Sequence, residues 1–162
     1  MKEIIDPQII ELLGRNKLIS EILRSGLEVS IPVRDRGIDL IAYTDISDRT
    51  DKFIAKPIQM KASLRESIIV DKKYSKIKDL IIVYIWNIED EKKCVAYALN
   101  YEEAYKVAEE MGWTKTPSWE EGRYSTSKPS KKLKKVLKPY KMDPEKWWKK
   151  IIEYTFDIKQ DF

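Results

Sequence analysis

At 162 residues the chain has the length of one domain, and its 43% hydrophobic and 36% charged residues supply a core under a heavily charged surface, which excludes global disorder. It contains no histidine, so Ser-His-Asp and Cys-His catalysis, His-bearing zinc sites and a histidine general base are all excluded. Net charge is only +4, yet 123–150 holds eleven basic residues against Asp143 and Glu145, a local charge of +9 that leaves −5 for the remainder.

The first element expected is a helix over 7–25, with Ile9, Leu12, Leu13, Leu18, Ile19, Ile22 and Leu23 at helical spacing. Asp6 and Pro7 suit its cap and first turn, and Gly26 its stop. A short strand over 29–31 ends at Pro32, and Arg34-Asp35-Arg36-Gly37 reads as a polar turn. A strand over 38–44 puts Ile38, Leu40 and Ala42 on one face and Asp39, Ile41 and Tyr43 on the other. The polar loop 45–52 leads to a third strand over 53–63, in which Pro57 suggests an edge position or a bulge. Further strands are expected at 68–70, at 80–86 (nearly all apolar, as in a strand covered on both faces) and at 94–99, with a short helix or turn over 72–78. A helix over 101–111 follows, then an irregular stretch over 112–129. Two basic helices close the chain at 129–138 and 143–155, the second capped by Asp143 and Pro144.

The chemistry concentrates in Gly37-Ile38-Asp39-Leu40-Ile41-Ala42, followed twenty residues later by Gln59-Met60-Lys61-Ala62-Ser63. Gln59 and Lys61, two apart on a strand, share a face; if the two strands form a hairpin, Asp39 reaches both. A carboxylate, an amide oxygen and an ammonium around one point suit metal-assisted hydrolysis of a phosphodiester. Mg²⁺ (or Mn²⁺) takes oxygen ligands, here Asp39, Gln59 and the Met60 backbone carbonyl, and Lys61 would orient the attacking water and stabilise growing negative charge. The bland alternatives are that Asp39 is a hydrogen-bonding residue near a turn, and that Gln59 and Lys61 are the wet face of an edge strand.

Over 11–100 these elements and motifs resemble the PD-(D/E)XK nuclease superfamily, which includes restriction enzymes, Holliday-junction resolvases and some homing endonucleases. The resemblance implies a restriction-endonuclease-like α/β/α core with a mixed central sheet, lying between the N-terminal helix and the 101–111 helix. It assigns the catalytic roles to Asp39, Gln59 and Lys61. The chain departs from the family pattern in having the neutral Gln59 as second motif ligand. It also has Arg15 at the leading-helix position where relatives often place a Glu; Glu11, one turn earlier, is the candidate substitute as metal ligand. Many proteins of this type act as dimers because duplex cleavage requires two sites, so a homodimer is compatible with the resemblance.

Trp113, Trp119, Tyr124, Trp147 and Trp148 lie among the C-terminal lysines, a mixture that suits nucleic acid. Arg123, Lys131, Lys132 and Lys135 are the candidate DNA contacts, and the loop 114–127 a candidate ligand-positioning segment. Core packing is the alternative for Trp147 and Trp148, since Trp147, Ile151 and Tyr154 form one apolar stripe. The whole chain is expected to be one domain, a nuclease-like core over 7–111 with a loop and basic helical extension over 112–162. No apolar run is long enough for a bilayer, the start Met1-Lys2-Glu3 lacks a signal-peptide core, and a single cysteine suits a reducing cytoplasm. The expected function is a metal-dependent DNA endonuclease; the alternative is a catalytically inactive nuclease fold that binds nucleic acid or a protein partner.

Overall fold

The computed structural model describes residues 6–44 and 50–152; loop positions 45–49 and the expected helical residues 153–155, with Tyr154, lie outside the described residues. Helix α1, Pro7–Arg24, begins where Asp6 accepts the Gln8 N–H at 2.7 Å and ends where the Ser25 hydroxyl donates to the Ile22 carbonyl at 2.6 Å. Strands β1 (Glu28–Ser30), β2 (Leu40–Tyr43), β3 (Ala55–Ala62), β5 (Ile81–Trp86) and β6 (Val95–Asn100) form a sheet in the order β1-β2-β3-β5-β6. Only the β3–β5 pair is parallel, so the sheet is mixed. Strands β4 (Ile68–Asp71) and β7 (Arg123–Thr126) form a separate antiparallel ribbon.

The sheet is covered on both sides, as its side-chain alternation demands. Leu40, Ala42, Ile58, Met60, Val83 and Ile85 face α1, against Leu18 and Ile22. Ile82, Tyr84, Trp86 and Leu99 face α2 (Tyr101–Glu110), against Ala104, Val107 and Ala108. An Asn100–Glu103 capping box starts α2 directly after β6. The expected mixed sheet between two helical layers is therefore the observed α/β architecture. Ile9, Leu12, Leu13 and Leu23 of α1 remain exposed.

Two expectations are corrected. Pro57 lies in a central strand rather than at an edge: β3 runs between β2 and β5. Its missing N–H is tolerated because Pro57 pairs with Ile41 one residue before the β5 ladder begins at Ile58. The stretch 112–129 is not irregular. It folds into a 3₁₀ turn (Trp113–Lys115), α3 (Pro117–Glu120) and β7, pinned by Trp113 stacked on Tyr124 at 4.6 Å and by a buried Trp119. The two basic helices bury their apolar residues in different layers: α4 (Lys131–Leu137) buries Leu133 and Leu137 in the α2 layer, whereas α5 (Lys146–Ile152) buries Trp147 and Ile151 in the α1 layer, with Lys150 reaching Glu103 of α2 at 2.6 Å.

Where α1 crosses β3 the approach requires glycine. A Cβ on Gly14 would stand 2.7 Å from the Ala62 Cβ and 3.1 Å from the Met60 Sδ. Gly14→Ala gains roughly 1 kcal/mol of helix propensity but overpacks a rigid contact, at a cost of about 1–3 kcal/mol. We expect a lower urea midpoint for this variant; an unchanged or raised midpoint would show that α1 can lift without cost.

Candidate active site

The site forms where β3 outruns its neighbour. The β2–β3 ladder ends at Leu40 opposite Ile58, and the Asp39 N–H still donates to the Ile58 carbonyl at 2.8 Å. There the backbone leaves the sheet, so the next inward N–H of β3, that of Met60, loses its strand partner. The Asp39 side chain supplies one: its Oδ2 accepts the Met60 N–H at 2.6 Å and the Gln59 Nε2–H at 2.8 Å. Gly37, at φ +89°, turns the preceding segment back on itself, a conformation that favours glycine, and its N–H donates to Asp35 at 3.2 Å. Asp35 is thereby carried beside Asp39.

A cleft of about 330 Å³ opens at this point between the first turns of α1 and the free edge of β3, lined by Glu11, Asp35, Asp39, Gln59, Met60 and Lys61 among others. Carboxylate oxygens of Glu11, Asp35 and Asp39 all lie within 4.8 Å of one another. Arg15 Nη2 pairs with Glu11 at 2.8 Å, one helical turn away, so the Arg15 guanidinium orients the Glu11 carboxylate. Asp39 and Gln59 are buried, Lys61 half-buried, and Glu11 and Asp35 exposed. Burial pushes the Asp39 carboxyl above its ordinary value; the Met60 N–H opposes this, Asp35 and Glu11 reinforce it, and the Lys61 ammonium counters it.

These are hard oxygen donors, the set that Mg²⁺ or Mn²⁺ takes. An octahedral ion with Mg–O distances near 2.0–2.1 Å sets neighbouring ligand oxygens roughly 3 Å apart and opposed ones roughly 4 Å apart, so the three carboxylates, whose oxygens lie within 4.8 Å of one another, would draw together around it. The Met60 carbonyl lies beside the same centre, accepting from Gln59 Nε2 at 3.3 Å. Gln59 turns its amide nitrogen to Asp39, so ligation through its oxygen requires the amide to turn over. The residues fit a divalent cation.

The geometry brings Glu11, Asp39, Gln59, Met60 and Lys61 together. It adds Asp35, which reads in sequence as an ordinary turn residue; the available signal was a carboxylate four residues before Asp39 with a glycine between them. Arg123, Lys131, Lys132 and Lys135 are all exposed, and none lines the cleft. Lys132 and Lys135 line a groove between α2 and α4, where Lys132 Nζ donates to the Glu110 carbonyl at 2.8 Å. Trp113, Trp119 and Trp147 are buried, and Trp148 packs against the core, so these tryptophans hold the fold together rather than offering faces for base stacking. Among the described residues no helix is long and apolar enough to cross a membrane.

The chain matches no protein-family model and no curated protein. Among solved structures its fold is similar to that of a bacterial homing endonuclease, at 12% sequence identity and a TM-score of 0.50, over 98% of this chain and 100% of the other. The likeness is one of fold, a nuclease-like α/β architecture.

Proposed function

We propose that this chain is a divalent-metal-dependent DNA endonuclease of the PD-(D/E)XK type. The observation that carries the reading is the convergence of Asp39, Gln59 and Lys61 with Glu11 and Asp35 on one cleft where β2 ends beside β3. Glu11, Asp35, Asp39 and the Met60 carbonyl would hold Mg²⁺ or Mn²⁺, with Gln59 as a neutral further ligand. The bound ion would supply a water of lowered pKa and neutralise phosphate charge. Lys61 orients the attacking water and faces the charge that builds on the phosphate as the new O–P bond forms and the strand's P–O bond breaks. Cutting both strands of a duplex takes two such centres, which a homodimer would provide.

The test is cleavage of supercoiled plasmid and branched DNA with Mg²⁺ or Mn²⁺ by wild type, Asp39→Ala and Lys61→Ala. We expect metal-dependent cutting by wild type, reduced by about 10²–10³ in each variant, the scale of removing one preorganised electrostatic group. A second reading, a catalytically inactive nuclease fold that binds nucleic acid or a protein partner, is favoured by the neutral Gln59 and by the Arg15–Glu11 pair. Absent cutting with tight binding indifferent to Mg²⁺ would select it.

A further inference from the structure

Lys61 lines the cleft and also stands 5.9 Å from the centre of the Tyr74 ring, while Lys73 stands 5.2 Å from the same ring. The two ammonium groups are thus no farther apart than these distances laid end to end. Tyr74 and Lys73 belong to the 3₁₀ turn Lys72–Lys76, which follows β4 directly. In the same turn Lys72 stands 5.3 Å over the Trp119 ring, and its backbone N–H donates to the Gly122 carbonyl at 2.9 Å, next to Arg123. Arg123 is exposed and faces Asp71 across the β4–β7 ladder.

Asp71 is the one carboxylate in these contacts. It accepts the Lys73 backbone N–H at 2.9 Å as the cap of the turn, but lies 3.7 Å from the Lys73 ammonium, whose side chain is 64% exposed. Lys61, Lys72, Lys73 and Arg123 outnumber Asp71 and the exposed Glu120 and Glu121 that precede Gly122, which leaves a small surplus of positive charge beside an acidic cleft. Tyr74 and Trp119 are themselves buried, so the rings that carry Lys61, Lys72 and Lys73 are fixed. A lysine already laid on a fixed ring loses less freedom on meeting an anion than one waving in solvent. The lysines of α4 differ: Lys132 is bonded to Glu110 and Lys134 to Glu66 at 2.7 Å, contacts that fasten α4 to its neighbours.

We propose that Lys72, Lys73 and Arg123, continuing from Lys61, form the track along which a nucleic-acid phosphate backbone enters the Glu11–Asp35–Asp39 cleft. The proposal rests on the nuclease reading and deepens it by placing the substrate over the 3₁₀ turn and the β4–β7 ribbon rather than over α4. These cations meet phosphate, so they position the strand without reading its sequence.

The experiment measures binding of a fluorescein-labelled DNA duplex by anisotropy, in EDTA and over a series of salt concentrations, with plasmid cleavage in Mg²⁺ run alongside. The variants are Lys72→Gln/Lys73→Gln, the exposed single Lys73→Gln, whose folding is not in question, and Lys132→Gln/Lys135→Gln as the α4 control. Each phosphate that is no longer neutralised by a lysine lowers the log–log salt slope by about 0.9. We expect a slope reduced by about 2 and affinity weakened roughly 10- to 100-fold in the double variant. About half that slope change is expected in Lys73→Gln, and none in the control. Wild-type binding by both track variants, or weakening confined to the α4 control, overturns the track while wild-type cleavage leaves the nuclease reading standing. Neither binding nor cleavage by wild type overturns both.

Discussion

Asp39→Asn is expected to resist urea better than wild type at neutral pH while losing metal-dependent cleavage. Burial raises the Asp39 carboxyl above its ordinary value of 3.8, so the fold favours the protonated form. A group raised in this way contributes its stability below its unfolded value and loses it as pH rises through its folded value. At pH above that ordinary value the wild type therefore loses stability relative to acid pH because of this carboxyl. Asparagine keeps an oxygen that accepts the Met60 and Gln59 N–H groups and removes the charge. It also removes the charged ligand of the proposed metal centre, with an expected rate loss of about 10²–10³ or more. Urea titrations at neutral and acid pH check the sign: the advantage of Asp39→Asn should shrink as pH falls and the wild-type carboxyl takes up its proton. A variant less stable at every pH would mean that the Asp39 charge is compensated in the fold. Retained cleavage would remove Asp39 from the mechanism.

The second large effect is on stability. Trp147 is fully buried in the α1 layer, and its Nε1–H donates to Glu21 Oε2 at 3.0 Å, while Lys17 holds the other Glu21 oxygen at 2.6 Å. Helix α5 spans only Lys146–Ile152, too short to persist without its docking. Trp147→Ala opens a cavity and leaves the buried Glu21 carboxylate short of a donor, together about 3–5 kcal/mol. Against a total stability of about 5–15 kcal/mol, that is enough to leave a marginal fold or none. Trp147→Phe keeps most of the ring and isolates the hydrogen bond, at about 1–3 kcal/mol. Chemical denaturation of both variants separates the two contributions; a loss below about 1 kcal/mol for Trp147→Ala would mean that α5 is not anchored through this residue.

The proposed site also answers a local structural need. The Asp39 carboxylate completes a ladder that β2 abandons, so one oxygen is committed to the fold whether or not a cation is bound. That the same atom serves both ends explains why a costly buried charge can persist there, and why its removal is expected to separate stability from activity.

What the sequence by itself determined was whatever periodicity and local chemistry control. The cap of α1, the strand over 81–86 and the same-face placement of Gln59 and Lys61 all follow from spacing and from neighbours a few residues away. Three features came only from the tertiary structure. Pro57 in a central strand depends on where β5 begins to pair, which no local pattern encodes. Asp35 joins the cleft because Gly37 reverses the chain and α1 presents Glu11 opposite it, contacts between segments far apart in sequence. The basic C-terminal half carries a local charge of +9 in sequence, but which core layer each helix joins is decided by its apolar residues: Leu133 and Leu137 of α4 join the α2 layer, and Trp147 and Ile151 of α5 join the α1 layer. Local sequence specifies elements and the faces of their side chains; which faces meet is settled by burying the most apolar surface across the whole chain, and the cleft lies where those elements end.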